Sequence, residues 1–70
     1  MGISFKPLWK LLIDRGMKKT DLLKSAGLSP PTLAKLTKNK PIDSRTLEKI
    51  CAALQCQPGD VIEYVSDKEN

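Results

Sequence analysis

The chain has 70 residues, twelve Lys and Arg against eight Asp and Glu for a net charge of +4, and no histidine. A chain of this length makes one domain, buries only about 60–65% of its unfolded surface and leaves little volume for an enclosed substrate pocket. Without histidine it lacks the commonest general base and metal ligand, so the reading is a non-enzyme with no cofactor and no small-molecule substrate.

Hydrophobic spacing predicts an all-α domain of five short helices, at about 7–15, 18–26, 30–38, 44–54 and 58–63, followed by a flexible acidic tail over 66–70. In the first, Leu8, Leu11, Leu12 and Arg15 follow an i, i+3, i+4, i+7 stripe. Pro7 suits the opening turn, Gly16 ends the helix, and Trp9 and Ile13 either widen the buried face or leave a partly open patch. The second helix turns Leu22, Leu23 and Ala26 inward, with Met17 placed to staple onto Leu22 and Gly27 as its stop. The third has the clearest start: Ser29 as N-cap, Pro30 at the first helical position, and Leu28 opposite Leu33. Leu33 and Leu36 face inward, and Asn39 is a left-handed exit. A loop leads to Asp43, the N-cap of a fourth helix whose Leu47, Ile50, Cys51 and Leu54 form the strongest stripe in the chain. Pro58-Gly59-Asp60 opens a fifth helix or turn. An alternative for 61–65 is a short strand paired with Ile3-Ser4-Phe5, favoured weakly by β-branched and aromatic residues.

Two cysteines, Cys51 and Cys56, lie five residues apart near the end of the fourth helix. Helical geometry would point their side chains in different directions, so a mutual disulfide is not expected, and two thiols without histidine cannot complete a zinc site. Cys51 reads as a small core residue in a reducing cytosol. Lys6, Lys10, Asp14 and Arg15 interrupt every early apolar run, so neither a secretory signal nor a membrane span is expected.

Charge is unevenly distributed. Residues 1–49 carry eleven basic side chains against four acidic ones, and residues 50–70 carry one against four. A basic body suits a polyanion met by one face. The segment Leu22 to Leu36 places two short helices about a turn at Gly27, with Leu28 locking their angle. That is a helix-turn-helix pattern, whose second helix fits a major groove about 12 Å wide. Lys18, Lys19, Lys35, Lys38, Lys40 and Arg45 fall at helix starts or in the loop after the third helix, where phosphates on both sides of a groove are met.

From about Leu8 to Ile62 the chain resembles the Xre/Cro-like repressor family, whose members carry a compact five-helix lambda-repressor-like domain. The resemblance rests on Met17 to Leu22, Gly27-Leu28-Ser29, Thr32 to Leu36, Asn39-Lys40-Pro41, Thr46 to Leu54 and Pro58-Gly59-Asp60. It implies DNA-binding roles for Lys18, Lys19, Pro30, Pro31, Thr32, Lys35, Lys38, Asn39 and Lys40, to which the charge pattern adds Arg45. The chain departs from the family at four of these. Lys18 stands where Ser or Thr usually caps the second helix, and Lys19 stands where Gln often bonds a phosphate or base. Pro30 and Pro31 occupy positions that often read base edges, and they offer only apolar contact with a thymine methyl. Lys35 is the best single base reader, directed at guanine O6 and N7, and Thr32 either contacts DNA or reinforces the helix cap. Lys38, Asn39 and Lys40 match the family's phosphate-binding loop.

The function expected is a cytoplasmic, sequence-preferring transcriptional regulator of the repressor type, binding double-stranded DNA as a homodimer. The competing reading is a protein-interaction module of the antitoxin or anti-repressor type on the same fold, favoured by the two prolines.

Overall fold

A computed structural model describes residues 2–66. The acidic tail expected over 66–70 therefore lies, beyond Ser66, outside the described residues. In chain order the elements are strand β1 (Gly2–Ser4) and helices α1 (Lys6–Asp14), α2 (Lys19–Ala26), α3 (Pro30–Thr37) and α4 (Ser44–Leu54). A single 3₁₀ turn (Pro58–Asp60) and strand β2 (Glu63–Val65) follow. The four helices stand within a residue or so of the expected bounds. The fifth does not form over 58–63: the chain makes one 3₁₀ turn, buries Val61 completely and then extends. Pro58 favours only the start of a turn, and the residues after it are of a kind that packs better when pleated. The strand alternative for this segment is the one realised, with its partner shifted by one residue from Ile3-Ser4-Phe5. β1 and β2 pair antiparallel in the register Gly2↔Val65, Ile3↔Tyr64 and Ser4↔Glu63.

One hydrophobic core joins every helix. Phe5, Leu8, Leu22, Leu36, Ile50, Leu54 and Val61 are fully buried, with Leu12, Ala26 and Leu28 nearly so. Each stripe expected from spacing contributes to it, and Phe5 seals it just beyond β1. Trp9 is half-buried while Ile13 is 74% exposed, so the outer side of α1 is an open patch. Among the described residues no helix is long and apolar enough to cross a membrane.

The helix ends follow from identifiable residues. Ser29 Oγ accepts from the Thr32 N–H at 3.4 Å, and Asp43 Oδ1 accepts from the Thr46 N–H at 2.8 Å. Lys18 has no acceptor to cap α2, as expected; instead the Asp21 carboxylate reaches back to the Lys18 N–H at 2.9 Å. Asp60 does the same for Gln57 N–H before the 3₁₀ turn, also at 2.9 Å. These are the carboxylate halves of capping boxes. Gly27 ends α2 in the left-handed region at φ 67°, which lets the Leu28 N–H return to the Leu23 carbonyl at 2.9 Å.

Asn39 takes the left-handed exit from α3 at φ 57°, and its side chain does a second task. Asn39 Oδ1 accepts from the Phe5 N–H at 3.0 Å, tying the loop after α3 to the chain between β1 and α1. Asn39→Ala loses both the left-handed tolerance and the acceptor, and should lower stability by about 1–3 kcal/mol. Asn39→Gly keeps the backbone angle and should recover about half of that loss. Urea unfolding of both variants checks the split; a glycine variant no better than alanine would show that the backbone angle is not what Asn39 supplies.

Candidate nucleic-acid interface

α3 is held from below and open above. Leu36 is fully buried and Leu33 half-buried against the core, while Pro30, Pro31, Ala34 and Lys35 are exposed and Thr32 is half-buried. The two prolines occupy the first turn, where a missing N–H leaves no intrahelical bond unmade. The Thr32 hydroxyl lies 2.9 Å from Ser29 Oγ, so it reinforces the cap. A hydroxyl has one donor and two acceptor positions, and the bond to Ser29 uses one of the three, so Thr32 can still bond outward.

A cleft of about 250 Å³ lies between α3 and the start of α4, lined by Thr32, Lys35, Pro41, Ile42, Asp43 and Thr46. The outer face of α3 and the following loop therefore share one surface. Lys38, Asn39, Lys40 and Arg45 are all exposed. The Lys40 N–H returns to the Lys35 carbonyl at 2.9 Å, closing α3 and fixing the path of the loop. With Oδ1 engaged by Phe5, the Asn39 side chain keeps its amide N–H₂ as a donor, the group that suits a phosphate oxygen.

Asp43 puts one negative charge on this basic surface. The Thr46 hydroxyl and backbone N–H hold its carboxyl below the ordinary carboxylate range, and the charges of Arg45 and Lys35 add to the effect. A carboxylate with a lowered pKa stabilises the fold at neutral pH, and that contribution is lost as pH falls through the lowered value. The Asp43 carboxylate accepts from one N–H of the first turn of α4, that of Thr46, whereas Asp21 accepts from the Lys18 N–H just before α2.

The second basic group lies at the start of α2. Lys18 and Lys19 are exposed and line a hollow of about 220 Å³ with Trp9, Leu12, Ile13 and Met17. The Lys19 ammonium stands 4.5 Å from the Trp9 ring centroid, a cation–π contact worth about 0.5–1 kcal/mol at an exposed site. Sequence reasoning placed Trp9 on the buried face of α1 or in a partly open patch and missed this support, because the pair is ten residues apart and meets only when α1 and α2 pack. The Asp21 and Asp60 caps were also missed, although an acid three residues after a helix start is a readable signal. Among the described residues no group of three His, Cys, Asp or Glu side chains is placed to hold a metal ion.

Comparison with known proteins agrees with this geometry. A family model for the Cro/C1-type HTH DNA-binding domain matches residues 7–67. YozG of Bacillus subtilis (strain 168), an uncharacterized HTH-type transcriptional regulator, is 44% identical over 61 residues, covering 84% of this chain and 73% of its own. The crystal structure of the transcriptional regulator VanUg superposes with a TM-score of 0.90 at 45% identity, over 94% of this chain and 88% of that one. With helix-turn-helix geometry, a basic exposed face and a match running through nearly the whole fold, the chain belongs to the Cro/C1-type helix-turn-helix family of DNA-binding transcriptional regulators.

Proposed function

We propose that the protein is a sequence-preferring repressor that inserts α3 into the major groove of double-stranded DNA, as a homodimer in the cytoplasm. The observation that carries this reading is the exposure of Lys35 on α3, in a cleft whose other wall is Pro41, Ile42 and Asp43, next in the chain after the exposed Lys38 and Lys40. Lys35 reads a guanine edge, and Thr32 contributes the hydrogen-bonding capacity its cap bond leaves over. Lys18, Lys19, Lys38, Asn39, Lys40 and Arg45 grip phosphates on either side, while Pro30 and Pro31 offer apolar contact to a thymine methyl. A single domain of this size makes few base contacts. Two copies on a palindromic site would set their recognition helices about 34 Å apart, one turn of DNA.

Gel shifts with genomic fragments test the reading. Lys35→Ala should cost about 1–3 kcal/mol on the preferred fragment and reduce discrimination between fragments. Lys19→Ala should weaken binding to all fragments by a similar factor. DNA affinity unchanged in both variants would overturn the proposal. Equal affinity of the wild-type chain for every fragment would replace it with non-specific binding.

The exposed pair Pro30 and Pro31 favours a second reading, an interaction module that docks another protein through α3. It predicts no fragment retention at low salt, where the repressor reading predicts the strongest retention.

A further inference from the structure

The C-terminus of α4 brings together two thiols that helical geometry alone would keep apart. Gln55 adopts a left-handed conformation (φ 49°, ψ 56°), which folds the chain back over the last turn of the helix. The Cys56 N–H consequently donates to the Cys51 carbonyl at 3.1 Å. Standard backbone dimensions then hold the two Cα atoms within about 7 Å of each other, the upper limit of disulfide reach. In this type of helix ending the side chains of the first and last residues of the bonded loop frequently meet. Here those residues are Cys51 and Cys56. Both are half-buried against the core and both carry free thiols.

We infer that Cys51 and Cys56 form a dithiol site, one that takes up a low-molecular-weight disulfide of the glutathione class and closes an intramolecular disulfide across the α4 C-terminus. This inference is independent of DNA binding. Exchange proceeds in two displacements. The thiolate of one cysteine attacks a sulfur of the small disulfide, forming a mixed disulfide and releasing one small thiolate. The second cysteine, deprotonated, attacks the protein sulfur of that mixed disulfide, forming the Cys51–Cys56 bond and releasing the second small thiolate. Two protein thiols are oxidised, one small disulfide is reduced to two thiols, and the two protons go to the released thiolates. Burial, together with the neighbouring Cys51 thiol, pushes the Cys56 thiol above its ordinary range. The thiolate is the nucleophile, so exchange should accelerate as pH rises above neutrality.

The test incubates the intact 70-residue chain with excess oxidised glutathione, then alkylates it and measures its mass without reductant. The expected product is a monomer lighter by two hydrogen atoms, carrying neither alkyl group nor glutathione, and restored by dithiothreitol. Cys56→Ser should instead stop at the mixed disulfide on Cys51, heavier by one glutathionyl group. Repeating the reaction in guanidinium should lower the ratio of internal to mixed disulfide by about tenfold, because the folded turn supplies the effective concentration. A wild-type chain that ends with glutathione on each cysteine, links to a second chain or keeps both thiols alkylatable would overturn the inference. So would a ratio unchanged by unfolding.

Discussion

Leu36→Ala should destabilise the domain by about 2–5 kcal/mol and lower its melting temperature by at least about 10 °C. Leu36 is fully buried on the inward side of α3, where that helix meets the core. Truncation removes transfer free energy and leaves a cavity that short, capped helices cannot close. A 70-residue domain holds only about 4–10 kcal/mol in total, so the variant would be near its folding limit at physiological temperature. The loss should reach DNA affinity as well, since only the folded fraction presents Lys35. Ile13→Ala is the matched control: at 74% exposure its loss should stay within about 0.5 kcal/mol. Thermal melts followed by circular dichroism separate the two. A Leu36→Ala melting curve that overlays the wild type would show that α3 is not anchored through this side chain.

Salt supplies the second large effect. If each dimer neutralises about 6–10 phosphates, affinity for a cognate fragment should fall by about 10³–10⁵ between 50 and 200 mM salt. The cause is loss of the entropy gained when condensed counterions are released from DNA. Removing charges from the loop should flatten the response: Lys38→Ala with Lys40→Ala removes two contacts from each protomer of the dimer and should reduce the slope of log K against log salt by about 3–4. Fluorescence anisotropy over a salt series measures both. A wild-type slope near zero would rule out a phosphate-dominated interface, and a double variant with unchanged slope would remove the loop from it.

What could be read from the sequence was what is local. Helical spacing located all four helices, and the caps at Ser29 and Asp43 and the stop at Gly27 were read directly, because each acts over three or four residues. The fifth helix was misjudged because Pro58-Gly59-Asp60 looks the same whether it opens a helix or a single turn. The outcome is decided by pairing with Gly2–Ser4, some sixty residues away. The same reasoning applies to the site. The exposed lysines were legible as charge at helix starts, whereas the Trp9 ring beneath Lys19 and the Phe5 N–H on Asn39 are products of packing. Thr32 illustrates the intermediate case. Its position allowed both a cap and a contact, and only the 2.9 Å approach to Ser29 gives the cap its share. The meeting of Cys51 and Cys56 turned on the sign of one dihedral, at a glutamine that carries no preference for it.

The ladder between Gly2–Ser4 and Glu63–Val65 has a consequence for how the molecule assembles. Its bonds close a ring of almost the whole polypeptide, whose entropic cost is met only after the intervening helices have docked and shortened the effective span. The helices and their turns, built from near neighbours, form early. The ribbon should therefore be a late clasp, and its opening should cost less than global unfolding while leaving α3 and the buried Leu36 in place.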